Sequence, residues 1–126
     1  MSDAVEDELR SFQGHTRLFL VFGPSETDPQ VTRQLECFRS QHDSLNERDT
    51  RIFSVLEGSA PTAGASPAAW RSRFDVGPGR FTAILLGKDG TEKKRWIEPV
   101  SLADLQAEID AMPMRQQEMQ QQQEPA

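Results

Sequence analysis

The stretch Leu18-Phe19-Leu20-Val21-Phe22 constrains the fold more than any other feature, because it places five apolar residues in a row. A strand points successive side chains to opposite faces, so an apolar run of this length needs cover on both faces. The run therefore predicts a central strand of a sheet that has helices on its two sides.

The segment after this strand has the spacing of a single helix. Asp28 is a favourable N-cap residue and Pro29 suits the first helical position. The residues of one helical face then recur at steps of three and four: Val31, Leu35, Phe38, His42 and Leu45. We expect this helix to end near Asn46.

The rest of the chain continues the alternation of strands and helices. The predicted elements are a strand over Ile52–Leu56, a helix from Ser66-Pro67 to a left-handed Gly77, strands over Phe81–Leu86 and Lys93–Ile97 joined by a turn at Lys88-Asp89-Gly90, and a helix from Ser101 to Met112 that Pro113 stops. A helix between the first two strands makes them parallel. The order β-α-β-α-β-β-α predicts an α/β thioredoxin-like fold, with a mixed four-stranded sheet of order 2-1-3-4 flanked by helices.

The two ends differ in composition from this body, which we place at residues 14–112. Residues 1–13 form an acidic segment, in which a short amphipathic helix over Val5–Phe12 is an open alternative. Residues 113–126 contain six glutamines and few residues able to pack. Such a Gln-rich tail buries too little to offset its ordering entropy, so we expect it to be disordered, with an extra helix over 114–124 as the alternative.

Charge and composition exclude several function classes. The chain has 126 residues with 20 acidic and 14 basic side chains, a net charge of −6, which is the wrong sign for a nucleic-acid binder. No apolar run is long enough to span a membrane, and the acidic start does not resemble a secretory signal, so we expect a cytoplasmic protein. The single cysteine excludes an internal disulfide and a CxxC redox pair.

Four phrases of the sequence resemble one known family. They are Leu20 to Ser25, Phe74 to Thr82, Leu86 to Gly90 and, the most specific, Asp110-Ala111-Met112-Pro113-Met114-Arg115. Together they resemble the thioredoxin-like domain-of-unknown-function family 4174, which also occurs in extracellular sushi-repeat proteins and is described as peroxiredoxin-like. The resemblance extends from Arg17 to Glu118. It implies a fold and no particular reaction, because no activity is established for the bacterial members.

The chain departs from thioredoxins at both elements of thiol chemistry. Thioredoxins carry Trp-Cys-Gly-Pro-Cys after the first strand, where this chain has Gly23-Pro24-Ser25-Glu26-Thr27. They also place a cis-proline before the third strand, where this chain has Phe81. The sequence therefore predicts a thioredoxin-like body without the usual thiol–disulfide chemistry, and no catalytic constellation replaces it.

Cys37 is the one weak catalytic candidate. It lies in mid-helix beside Glu36, with Arg33 as its only basic neighbour one turn earlier. A reactive thiolate favours a helix N-terminus or a cationic surrounding, so we expect a packed or inert cysteine. His15 and His42 show no ligand spacing with it, so we expect no metal and no cofactor.

The candidate ligand-binding cleft joins two loops. Pro24, Ser25, Glu26, Thr27 and Asp28 follow the first strand and should face Arg80, Phe81 and Thr82, where open α/β sheets usually place their sites. The leading hypothesis is a non-catalytic binding or interaction module for an unknown protein or small-molecule ligand, monomeric or weakly homodimeric. The alternatives are a single-cysteine peroxidase or thiol reductase that uses Cys37, and an assembly role through the sheet edge or the tail.

Overall fold

The computed structural model describes residues 3–39, 42–57 and 65–123. Its elements in chain order are α1 (Asp3–Phe12), β1 (Arg17–Gly23), α2 (Pro29–Arg39), α3 (His42–Glu47), β2 (Thr50–Leu56), α4 (Pro67–Phe74), β3 (Thr82–Leu86), β4 (Glu92–Trp96), α5 (Leu102–Asp110) and α6 (Pro113–Gln123). The strands form one sheet in the order β2-β1-β3-β4. β2 pairs with β1 in parallel, and β3 pairs antiparallel with β1 and with β4. The predicted mixed sheet and its strand order are confirmed.

β1 lies at the centre of the molecule and separates two hydrophobic cores. Leu18, Leu20 and Phe22 point to a core formed with α1 and α4, which contains the fully buried Trp70. Phe19 and Val21 point to a second core formed with α2, α3 and α5. The apolar run of the sequence therefore corresponds to a strand that is covered on both faces, as its pattern predicts.

The predicted helix starts coincide with capping contacts. Asp28 Oδ2 accepts hydrogen bonds from the backbone amides of Gln30 and Val31. Ser66 and Ser101 make the equivalent contacts to the amides three residues later. Because a cap satisfies amides that have no partner within the helix, these short side chains fix where α2, α4 and α5 begin.

The end of α4 differs from the prediction that Gly77 would terminate it. Asp75 adopts the left-handed conformation instead, with φ of 55°, and the Val76 amide donates to the Arg71 carbonyl. Aspartate is one of the few non-glycine residues that tolerate this conformation. The cap therefore comes two residues earlier, and residues 76–81 form a loop that leads into β3.

The helix expected to run to near Asn46 is described in two parts. α2 ends at Arg39 and α3 begins at His42; residues 40–41 and the side chain of His42 lie outside the described residues. Phe38 and Leu45 are buried in the same core, so the predicted face is confirmed at these positions.

Both chain ends are more ordered than expected. The N-terminal alternative is confirmed, because α1 buries Val5 and Leu9 against the α4 side of the sheet. The expected disordered tail is wrong for residues 113–123, which form α6, while residues 124–126 lie outside the described part. Arg115 is almost completely buried and Glu118 pairs with Arg17, so ion pairs hold a helix that has little apolar surface.

Gln34 is a buried polar residue that ties α2 to the segment before α5. Its side-chain amide donates to the Val100 carbonyl at 2.9 Å and accepts from the Val100 amide at 2.8 Å. We expect Gln34→Ala to lower the free energy of unfolding by about 1–3 kcal/mol, because it leaves both buried backbone groups of Val100 unpaired. Urea denaturation measures this. Glu36→Ala, at an exposed position on the same helix, is the control. An equal loss of unfolding free energy in both variants would show that the hydrogen bonds between Gln34 and Val100 are not its source.

Candidate functional site

The polar side chains of the loop after β1 form hydrogen bonds within the loop, and the start of α2 adds another to its backbone. Ser25 and Thr27 share a hydrogen bond between their hydroxyl groups at 3.0 Å, and Thr32 Oγ1 donates to the Glu26 carbonyl at 3.0 Å. Gly23 is required here by close approach, because a Cβ at this position would lie 2.2 Å from Val31 Cγ2. The loop is therefore a turn that starts α2, and it contains no thiol.

An open cleft of about 480 Å³ lies beside this loop. Three residues of the predicted ligand-binding cleft line it: Arg80, Phe81 and Thr82. Pro24 to Asp28 are not among its lining residues, and Gln30 is the point where α2 reaches it. The other lining residues come from the end of α4 and the end of β4: Asp75, Val76, Gly77, Gly79, Arg95 and Ile97. The role of each predicted residue in contacting a ligand stays a prediction.

The sheet places the cleft at the carboxyl end of β1. Phe22 pairs with Thr82, so the end of β1 lies next to the start of β3. Phe81 is buried beneath the cleft. The Gly79 amide donates to Glu57 Oε2 at 2.6 Å, which holds the 76–81 loop against the segment that follows β2. The cleft is therefore built by backbone pairing and one loop contact.

The cleft surface combines cationic, acidic and apolar groups. Arg95 is fixed, because its Nη2 donates to the Phe74 carbonyl at 2.7 Å and to Glu92 at 2.8 Å. Arg80 is exposed, and Ile97, which follows β4, is 77% exposed. An exposed isoleucine beside two guanidinium groups gives the cleft an apolar contact and positive charge, with Asp75 as the opposing carboxylate.

Cys37 is separate from this cleft. It is the ninth of the eleven residues of α2, which places it about 12 Å along the helix axis from the end where Gln30 meets the cleft. It is exposed, so it is not packed in the core, and its inertness stays a prediction. Residue 37 lies about 100° around the helix from Phe38, and that rotation takes its side chain off the buried face.

The described residues contain no cluster of three or more His, Cys, Asp or Glu side chains that could hold a metal ion. His15 is exposed in the segment between α1 and β1.

A second polar cluster, which the sequence reasoning missed, lies at the opposite end of β1. We call it the ionic cluster; it consists of Arg17, Glu47, Arg48, Asp49, Lys88, Asp110, Arg115 and Glu118. It connects the start of β1, the turn before β2, the β3–β4 hairpin, α5 and α6. Its only signal in the sequence is the phrase Asp110 to Arg115, whose first and last residues pair at 3.1 Å.

The geometry of the ionic cluster centres on two carboxylates. Glu118 accepts from Arg17 Nη1 and Nη2 at 3.3 and 3.1 Å and from Lys88 Nζ at 2.9 Å. Asp110 accepts from Arg48 Nε and Nη2 at 3.1 and 3.0 Å and from Arg115 Nε at 3.1 Å. Each carboxylate therefore accepts hydrogen bonds from two cations, one of them through a two-point guanidinium contact. Glu118 Oε1 also lies 3.6 Å from Arg115 Nη1.

These contacts shift the protonation equilibria of both carboxyl groups. Burial opposes the ionisation of Glu118, but hydrogen bonds from Arg17 and Lys88 outweigh it, so its pKa lies below the ordinary 4.5. Burial likewise opposes the ionisation of Asp110, and hydrogen bonds from Arg48 and Arg115 bring its pKa below 3.8. A lowered carboxyl pKa adds stability above the ordinary value, and that stability is lost as the pH falls through the lowered one.

The strand order and the helices on both faces define the chain as a thioredoxin-like α/β protein. A family model, the domain of unknown function DUF4174, matches residues 8–118, and the chain belongs to that family.

Two known proteins are similar to this chain. Coiled-coil domain-containing protein 80 of Danio rerio is 28% identical over 138 residues, which cover 92% of this chain and 16% of that protein's length. The structure of thioredoxin peroxidase I from Plasmodium yoelii superposes with a TM-score of 0.62 at 16% identity, over 94% of this chain and 82% of the other. At that identity the structural likeness shows the fold.

Among the described residues, no helix is long and apolar enough to cross a membrane.

Asp110 provides a test of the ionic cluster through pH. We expect Asp110→Asn to lower the free energy of unfolding at pH 7 by about 1–2 kcal/mol, because charge-assisted hydrogen bonds to two arginines weaken while the group stays partly exposed. The difference from wild type should shrink as the pH falls below 3.8, since Asp110 itself then becomes protonated. Urea unfolding at neutral and acidic pH measures it. Glu98→Gln, at an exposed position outside the cluster, should show no comparable change; a difference independent of pH would exclude the charge as its source.

Proposed function

We propose that this protein is a non-catalytic binding module whose ligand occupies the cleft between the 76–81 loop and the end of β4. The observation that carries the proposal is the position of the cleft. It opens at the carboxyl end of β1, where α/β sheets commonly bind their ligands, and the chain places no cysteine there. The fold thus retains a concave site without the nucleophile that thioredoxins place beside it.

The lining groups favour a ligand with an apolar part and an anionic group. Ile97 offers exposed apolar surface for a bound molecule, and Arg80 provides an exposed guanidinium group that matches a carboxylate, whereas Arg95 is already paired with Glu92. The open form of the cleft and its rim of exposed backbone suit a short peptide segment better than a fully enclosed small molecule.

Peptides selected on the wild-type protein from a random displayed library test this proposal. We expect Ile97→Ser to weaken their binding about tenfold, because burial of an isoleucine side chain is worth about 1.5–3 kcal/mol. Arg80→Ala should weaken peptides that carry a carboxylate and spare those that do not. Calorimetric titration of each variant measures the affinities.

Arg33→Ala is the matched control for Arg80→Ala, because Arg33 is an exposed arginine outside the cleft lining. It should leave the affinities unchanged. Selected peptides that bind Ile97→Ser and Arg80→Ala as tightly as wild type would show that the ligand surface lies elsewhere.

The single-cysteine peroxidase or reductase is the second candidate, and the exposure of Cys37 favours it. The position of Cys37 argues against this candidate, because Cys37 is far from the N-terminus of α2, where a helix would stabilise a thiolate. We expect peroxide and insulin reduction by wild type to equal those of Cys37→Ser in the presence of an external thiol. Turnover that Cys37→Ser abolishes would overturn the binding-module proposal and establish this one.

An assembly role through the sheet edge remains the third candidate. The outer strand β4 carries four charged residues, Glu92 to Arg95, which discourage strand-to-strand pairing. β2, the other outer strand of the described sheet, contains one, Arg51. A solution mass above the 14.2 kDa monomer by light scattering would favour assembly through β2.

A further inference from the structure

The ionic cluster contains a cationic cradle, which we define as Arg17, Lys88 and Arg115 around the carboxylate of Glu118. We propose that this cradle is an oxyanion-binding site that Glu118 fills from within the chain, so that an external carboxylate or phosphate can compete with the Glu118 carboxylate for it. The proposal is independent of the cleft, which lies at the other end of β1.

The exposed fractions of the four charged side chains support a site in which the cations are fixed and the anion is exchangeable. The side chains of Arg17, Arg115 and Lys88 are 0%, 2% and 10% exposed, whereas that of Glu118 is 21% exposed. A buried cation without a counter-ion is costly, so the cradle demands an anion at its mouth. The carboxylate that meets this demand is the most solvent-accessible member of the group.

The cradle is held in place by contacts that do not involve Glu118. Arg17 Nη1 also donates to the Arg48 carbonyl at 2.8 Å, and Lys88 Nζ pairs with Asp49 at 2.7 Å. Arg115 Nη1 donates to the Glu47 carbonyl at 3.2 Å and its Nε to Asp110. Removal of one carboxylate therefore leaves three cations in position, which is the preorganisation that a binding site requires.

One donor in the cradle has no acceptor. Arg17 Nε is buried and makes no hydrogen bond within the described part of the chain, although both terminal nitrogens of the same guanidinium group are paired. Buried donors are rarely left unpaired in native proteins. A phosphate offers more acceptor oxygens than the carboxylate that it would replace.

The occupant of the site, Glu118, lies three residues beyond the anchored Arg115 in α6. Of the α6 side chains described, residues 115–120, only Arg115 is buried. Met119 is the one apolar side chain among them and is only half-buried, so displacement of the Glu118 carboxylate exposes little hydrophobic surface in this stretch. An external anion therefore competes mainly against ion pairs.

Glu118→Ala empties the cradle and makes the site measurable. In inorganic phosphate this variant should gain several degrees of melting temperature over sodium chloride of equal ionic strength, and bind phosphate at least about tenfold more tightly than wild type, whose site is filled. Acetate in a parallel titration distinguishes a carboxylate site, in which both anions act alike, from one that prefers phosphate. In wild type, phosphate should speed hydrogen exchange of the α6 amides beyond the effect of chloride.

The double variant Glu118→Ala/Lys88→Ala is the control, because it removes one cation of the cradle and should lose most of the phosphate effect. If Glu118→Ala is unfolded without added anion, phosphate-dependent refolding becomes the readout, and Glu118→Gln provides the same comparison in a side chain of equal size. Two results would overturn the proposal: stabilisation by phosphate no larger than that by chloride, or an equal phosphate effect in the double variant.

Discussion

The burial of β1 on both faces is the constraint on which the rest of the structure depends. All seven residues of this strand are buried, and it is the only strand of the described sheet that has a neighbour of each polarity, β2 in parallel and β3 antiparallel. Two separate cores follow from this, because alternate side chains of the same strand supply each of them. The positions of α1 and α4 on one face, and of α2 and α5 on the other, are the cover that this strand needs.

The same strand fixes the two polar regions of the molecule, one at each end. At its carboxyl end the chain leaves the sheet beside Thr82, and the cleft opens there. At its amino end the buried Arg17 forms an ion pair with Glu118 of α6. Thioredoxin-fold enzymes conduct their chemistry at the first of these ends. In this family member that end has a cleft without a cysteine, and the densest arrangement of charge lies at the other.

Local signals predicted the fold well and the sites only in part. The strands and the caps at Asp28, Ser66 and Ser101 depend on residues near one another in sequence, and the order of strands and helices along the chain then indicated the topology. Local composition misjudged α6, because the groups that hold it, Arg17 and Lys88, are distant in sequence from Glu118. The contribution of Arg80 to the cleft follows from strand order, whereas that of Ile97 depends on where β4 ends, which the alternating pattern placed one residue too late.

The pairing of Arg17 with Glu118 also has a consequence for how the protein is made. The two residues are 101 positions apart, so a ribosome has produced the strand at the centre of the sheet long before it produces the carboxylate that neutralises the strand's first residue. Until then a native-like β1 would bury a guanidinium group without its main counter-ion, which is unfavourable. The neutralisation of Arg17 therefore has to wait until α6 has been synthesised.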